Sequence, residues 1–370
     1  MANKIKVMIV DDSASVRKVV SEIINSNSDM QVTAAASDPI IAENYLKKEW
    51  PDVIILDLEM PRKNGLTFLK EIMAKRPTPI IICSSLAEKN ANVTMEALSS
   101  GAVDIITKPK VGIKDFLSNS EMMIVDAVRS AYSADINNID PKPIPKVSMR
   151  PEPGQGLKLG SSPKLSADVI LASQTDKEKN LKADRFIAIG ASAGGTRAIE
   201  AILISLPKET PPIVIVQHMP EKFTFAYANR LNSLCEISVK EAEDRDDLKP
   251  GCALIAPGNR HMIVKRRDKN YFIEIKDGPL VCRHKPSVDV LFRSISNVAG
   301  NNVLGIILTG MGDDGAAGMK EMHNSGVITM AQDEESCLIF GMPKEAIKRG
   351  GVNHVIPLQD IPQSIIEFFR

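Results

Sequence analysis

Aromatic residues are scarce in this 370-residue sequence, 4% of the total, too few to build the stacking platforms that hold single-stranded nucleic acid. Neither sign of charge is in excess. Lys+Arg and Asp+Glu number 46 each, a formal net charge of zero, so neither nucleic acid nor an anionic membrane is expected as a partner. Cysteine is sparse: Cys83, Cys235, Cys252, Cys282 and Cys337 are odd in number and contain no C-x-x-C pair. That argues against a disulfide framework or a cysteine zinc site and for a reducing compartment. No run of about 18 apolar residues occurs, so a membrane-spanning helix is not expected. The opening MANKIKVMIVDD meets its acids before any long apolar stretch, unlike a secretory signal. A cytoplasmic protein with no nucleic-acid or membrane-inserted role, and a monomer, is the expectation.

What is present is an ordinary globular composition, 44% hydrophobic and 25% charged, at a length that suggests two domains of roughly 150 residues with some chain to spare. Short apolar runs at 6–10, 31–35, 53–56, 80–83 and 103–106 read as buried strands. Helix-period segments separate them at 14–25, 39–48, 65–75, 88–99 and 113–131. Residues 133–183 break the alternation with Pro141, Pro143, Pro145, Pro151, Pro153 and Pro163 and read as a linker, with part of 165–179 able to form a helix. From Arg185 the alternation resumes, with strands at 186–189, 213–216 and 304–308 and helices at 195–205, 222–233, 287–299, 315–324 and 342–349. The stretch 252–276 alternates faster around the turn signal Asp268-Lys269-Asn270, which predicts an antiparallel hairpin. The expected fold is therefore α/β: two doubly wound parallel-sheet domains, 1–132 and 184–370, the second with an added hairpin, joined by the linker.

Asp11 and Asp12 follow the run KVMIV, Asp57 follows VIIL, Ser84 follows IIIC and Lys108 follows VDIIT. Open parallel sheets place their sites at such strand ends. Three carboxylates at one edge repel one another unless a hard divalent cation such as Mg²⁺ binds them, and a lysine at the same edge suits a phosphate. Any one of these acids or hydroxyls alone reads better as a helix cap or turn residue. Matching strand ends in order make the pocket the better reading. DD at 11–12, LDLEMPRKNG at 56–65 and TKP at 107–109 resemble the response-regulator receiver family over about residues 4–130. The resemblance implies that Asp57 accepts a phosphoryl group from a histidine kinase, that Asp11, Asp12, Asp57 and the backbone of Glu59 hold Mg²⁺, and that Lys108 and Ser84 form the switch. Ser85 is the alternative hydroxyl. The family's usual aromatic switch residue is absent, with Val103 or Ile105 nearby.

In the second half, FIAIGASAGG runs strand, turn, helix, and Gly190–Gly194 fits G-x-S-x-G, which would stand Ser192 on a sharp turn at a helix N-terminus. A dinucleotide loop needs a glycine where Ser192 stands and an acid after the next strand, where Gln217-His218 occurs instead. A simple helix cap is as good a reading of the serine alone. His218, at the end of the following strand, favours a nucleophile with a general base. Of the other histidines, His261 and His284 are the ones expected to line the cleft, with His323 and His354 peripheral. An acid in GIILTGMGDDGAAG could orient the base, and spacing does not separate Asp313 from Asp314. A non-catalytic module, in which GASAGG holds a phosphate or peptide, is the rival from another class. A DNA-binding regulator is disfavoured by the zero net charge and by the lack of a basic recognition helix.

IGASAGGTRAI, VQHMP, APGNRHM, RHKPSVDVLF, ILTGMGDDGAAGM and AQDEESCLIFGMP resemble the catalytic domain of the CheB chemotaxis methylesterase family, over roughly residues 184–370. The resemblance implies Ser192 as nucleophile, His218 as base, Asp314 as orienting acid and the Met311 backbone N–H as oxyanion donor, with no cofactor at this site. It further implies hydrolysis of glutamate methyl esters and deamidation of glutamines on methyl-accepting chemotaxis receptors. A chemotaxis histidine kinase would be the phosphodonor.

Overall fold

The structure, a computed structural model, describes residues 4–85, 88–108, 114–139, 164–173 and 185–369. The N-terminal elements are β1 (Ile5–Val10), α1 (Ala14–Ser26), β2 (Met30–Ala36), α2 (Pro39–Leu46), β3 (Val53–Leu56), α3 (Gly65–Lys75), β4 (Ile80–Ser84), α4 (Glu88–Ser99), β5 (Asp104–Thr107) and α5 (Lys114–Tyr132). All five strands are parallel, in the order β2-β1-β3-β4-β5. Because helices cover both faces, strands such as VIIL are buried at every position. Short polar residues start the helices: Ser13, Asp38 and Asn64 each accept a backbone N–H of the first turn. The strand order reverses direction between β1 and β3, which puts Asp11 and Asp57 beside the crevice where such sheets bind ligands.

The C-terminal half contains β6 (Phe186–Ala191), α6 (Gly195–Ile204), β7 (Ile213–Gln217), α7 (Phe223–Leu234), β8 (Ser238–Glu241), β9 (Cys252–Ile255), β10 (His261–Arg267), β11 (Asn270–Lys276), α8 (Val288–Val298), β12 (Val303–Ile307), α9 (Ala316–Asn324), β13 (Ile328–Gln332), α10 (Met342–Lys348), β14 (His354–Ile356) and α11 (Ile361–Phe369). Seven strands form one parallel sheet, β14-β13-β12-β6-β7-β9-β8. The expected hairpin is present as β10 and β11, antiparallel and turning at Asp268, whose φ is 55°. The 253–255 run, which sequence alone grouped with the hairpin, instead joins the main sheet between β7 and β8. The chain winds outward from β6 in one direction through β7 and returns on the other side through β12, so the switch point lies between β6 and β12.

The two halves pack directly. Ala91, Met95 and Leu98 of α4 share one continuous apolar cluster with Tyr227, Ala228 and Met219 of the C-terminal half. Arg283 pairs with Asp126 of α5 at 3.6 Å. Part of the stretch read as linker is built against the C-terminal half. Asp135 N–H donates to the Leu338 carbonyl, and the Asn138 amide donates to the carbonyls of Glu335 and Cys337. Further on, Ala167 and Ile170 are buried against Ile263, Val281 and Val290 around a single 3₁₀ turn, Ala167–Val169. The proline-dense stretch and the 174–179 part of the considered helix lie outside the described residues. All five cysteines are free, and among the described residues no helix is long and apolar enough to cross a membrane.

Candidate active site

Ser192 stands one residue past β6, on a turn closed by Gly195 N–H donating to its carbonyl at 2.8 Å. The Gln217 amide donates to the same carbonyl at 2.8 Å, and Ser192 N–H donates to the Thr309 carbonyl across the switch point at 3.1 Å. Two glycines are required here. Gly194 has φ +78°, and its added Cβ would lie 2.7 Å from Leu338. A Cβ on Gly310 would lie 2.7 Å from that of Ser192 and 2.4 Å from the Met342 sulfur.

His218 follows β7, the neighbour of β6. Its Nε2 lies 2.7 Å from Asp314 Oδ2, which fixes the tautomer that donates Nε2–H and leaves Nδ1 with a lone pair. Nδ1 is buried and has no hydrogen-bond partner. Ser192 and His218 line the same small pocket, yet no hydrogen bond joins them, as is common before substrate binds.

Asp314 and Asp313, which spacing alone could not separate, lie in different surroundings. Asp313 pairs with Lys164 and Arg349. Asp314 is 1% exposed and accepts four donors: His218, the Ser287 hydroxyl at 2.8 Å, Val288 N–H at 2.8 Å and Asp289 N–H at 3.0 Å. The last three belong to the N-terminus of α8, whose cap is Ser287. Burial alone would raise this carboxyl, but the His218 contact and charge, with the α8 amides, hold it below the ordinary range. Asp289 moves the opposite way, raised by burial and by the neighbouring Asp314 charge. Gln217 and Ser287 are site residues that sequence reasoning missed. The signal for Ser287 was its place as a capping serine before VDVLF. Met311 follows Gly310 in the glycine-rich turn and packs against the apolar cluster that contains Leu338 and Ala193.

His284 was expected near the cleft, and it stacks on His218 with ring centroids 3.7 Å apart and planes at 10°. His261 is fully buried with its Nε2 against the Pro279 carbonyl. His354 is exposed on β14. His284 belongs to the tight turn Val281–His284, closed by mutual backbone bonds, in which Cys282 and Arg283 both have positive φ, 49° and 71°. Two non-glycine residues in that region carry strain of order 1–3 kcal/mol each, held here by Cys282 N–H donating to the Leu165 carbonyl and by the Cys282 thiol reaching Asp289 at 3.3 Å.

At the N-terminal sheet, ligand atoms of Asp11, Asp12 and Asp57 lie within 4.8 Å of one another, an all-oxygen donor set that fits a hard cation. Lys108 Nζ sits 2.7 Å from Asp57 and 3.1 Å from Asp11, and Glu59 N–H donates to Asp57 at 3.2 Å. Burial pushes the Asp57 carboxyl up to about 6 against the pull of Lys108. Ser84 is buried, with its hydroxyl 3.3 Å from that of Thr94. Ser85 follows the strand and is less buried. The opposite end of β5 faces the other half: Val103, Asp104 and Ile105 close the pocket that holds Ser192 and His218.

The CheB methylesterase family profile matches residues 187–365, and the response regulator receiver domain profile matches 7–132. A relative from Chromobacterium violaceum, named protein-glutamate methylesterase/protein-glutamine glutaminase 2, is 54% identical over 98% of this chain and 99% of its own. A Dechloromonas aromatica protein of the same name is 55% identical over 100% of this chain and 99% of its own. A solved structure, the Thermotoga maritima CheB methylesterase catalytic domain, is 39% identical over 50% of this chain and 98% of that one, with a TM-score of 0.49.

Proposed function

The chain belongs to the CheB methylesterase family, with a response-regulator receiver ahead of its catalytic part, and from that premise we propose that Ser192, His218 and Asp314 carry out its reaction. The chain is a phosphorylation-regulated protein-glutamate methylesterase and protein-glutamine glutaminase acting on chemoreceptors. We assign the receiver to 1–132, a connector to 133–183 and the catalytic domain to 184–370, in a monomeric cytoplasmic protein.

The observation that carries the reading is a base oriented on one side and free on the other. Asp314 holds His218 Nε2 at 2.7 Å, Nδ1 has no partner, and His218 and Ser192 line one pocket. Ser192 Oγ attacks the γ-carbonyl of the glutamyl ester while its proton passes to Nδ1. The imidazolium keeps its Nε2–H on Asp314 and returns the other proton to the departing methoxide, which leaves as methanol. Water then attacks the glutamyl-enzyme with His218 again taking the proton, and glutamate is released. Glutamine follows the same course with ammonia leaving. The Met311 N–H, in the turn across from Ser192, is assigned to the oxyanion.

In the receiver, Asp57 takes the phosphoryl group from a histidine kinase. Asp11, Asp12, Asp57 and the Glu59 backbone would hold Mg²⁺, which when bound offsets the charge on the phosphoryl oxygens. Lys108 contacts those oxygens, and Ser84 moves toward them. The packing of Val103, Asp104 and Ile105 over the Ser192 pocket supports a receiver that covers the active site until phosphorylation loosens it.

Methanol release from methyl-labelled receptor membranes, with and without a small phosphodonor, tests the reading. Ser192→Ala is expected to lower turnover by up to about 10⁶. Release near the unsubstituted rate would overturn it.

A further inference from the structure

We propose that His284 is a positioning residue for the base, its neutral imidazole lying flat against His218 so that the charge His218 acquires during turnover is met by a π face. The inference rests on the reading of His218 as general base. Two charged rings lying flat against one another would repel. A separation of 3.7 Å at 10° suits one charged ring over one neutral ring.

The neighbours decide which ring is which. His284 feels the cations Lys164, from the segment before β6, and Arg283, from its own turn, and the Asp314 carboxylate pulls the opposite way. Burial, then the His218 charge, lowers its ionisation to about 3, so it stays neutral over the working range. His218 faces carboxylates: Asp314 directly and Asp104 from the receiver. The stack is also fixed from outside the catalytic groups. The turn carrying His284 is tied to the Leu165 carbonyl and to Asp289, and Arg283 within it reaches Asp126 of the receiver. The ring plane of His218 is thereby held with Nε2 on Asp314 and Nδ1 without a partner.

The interaction strengthens only when His218 becomes charged, so its loss falls on kcat and not on KM. His284→Leu removes the π face and His284→Phe keeps it. In the full-length, phosphodonor-activated protein, His284→Leu is expected to lower kcat between about 3- and 30-fold with KM unchanged. It should also move the acid limb of the kcat/KM profile down by roughly half a unit to one and a half units, because the imidazolium has lost its support. His284→Phe should hold both near the unsubstituted values. Should leucine lower the melting temperature, His284→Met repeats the comparison with a flexible side chain that also lacks a π face. Equal losses in Phe and Leu with an unmoved acid limb would mean packing alone and overturn the proposal, as would full activity in Leu. His218→Ala, probed with a serine-directed phosphonate, separates the two readings. Persistent labelling of Ser192 sinks the base assignment, whereas lost labelling with indifferent His284 variants sinks only this inference.

Discussion

Whether an aspartate is held charged or driven toward neutrality depends on what its burial is exchanged for, and this chain uses both outcomes. Asp314 is buried among four donors and is pulled below the ordinary range, so it stays ionised beside His218. Asp57 is buried with one lysine and one amide, and desolvation prevails, raising it from 3.8 to about 6. A carboxylate whose folded value exceeds its unfolded value costs nothing at low pH, where both states are protonated. The cost grows as pH rises from about 4 to about 6 and persists above. Asp57→Asn should therefore stabilise the receiver by about 2 kcal/mol at pH 7 in chelator, with the gain vanishing near pH 4. Urea unfolding at the two pH values checks it, and a gain that is equal at both would show that the charge is not responsible. The same burial favours occupation of the acid pocket by a cation, which relieves the uncompensated charge.

The helix that matters most for the base is α8. Its N-terminus delivers Ser287 Oγ and two backbone N–H groups to Asp314, and the same hydroxyl caps the helix by accepting from Val290 N–H at 3.4 Å. Ser287→Ala removes both functions at once. It should cost about 1 kcal/mol of stability and lower kcat/KM by roughly tenfold, since one of four donors to Asp314 is gone. Thermal melts and methanol release read the two effects separately, and loss of stability with intact kcat/KM would restrict Ser287 to capping. Elements with strong patterns were legible in the sequence. The VIIL strand at Val53–Leu56 and the helices Gly65–Lys75 and Glu88–Ser99 have the expected bounds, because buried parallel strands are continuously apolar and the helices between them show 3.6 periodicity. The missed elements lack that contrast. Ser238–Glu241 is a short, mostly polar sheet edge and His354–Ile356 a three-residue one, Ile328–Gln332 carries Thr329 and Gln332, and Ile361–Phe369 contains a proline in its first turn. At the site, Ser192 and His218 were legible because each ends an apolar run, and the acid pair because it sits in the glycine-rich turn after one. The choice between Asp313 and Asp314 by geometry, the role of Gln217 and the His284 stack were not. They depend on which loops the sheet order brings together, and residues some 25 to 100 positions apart carry no mark of that in their spacing.

At the scale of the whole molecule, the receiver and the catalytic half meet over the reacting groups. An apolar patch from α4 gives the contact its area, but the pocket that holds Ser192 and His218 is also lined by a carboxylate, Asp104, at the start of β5. Burial pushes it up to about 6, and the His218 charge draws it down. The docked arrangement thus binds a proton at Asp104 more tightly than an open one would, and by linkage docking weakens as pH rises from about 4 to about 6, the cost persisting above. The buried charge keeps the contact from being too tight to release at neutral pH, where a phosphoryl group on Asp57 has to shift it. Asp104→Asn removes that cost. Basal ester hydrolysis by the unphosphorylated variant should fall several-fold below the unsubstituted protein at pH 7.5, converge with it only near pH 4, and match it when phosphodonor is in excess. Hydrolysis rates across that pH range in full-length protein decide the matter. If the Asn variant is instead more active without phosphodonor at pH 7.5, the carboxylate secures docking by pairing with the His218 imidazolium, and its burial cost is not what keeps the two domains separable.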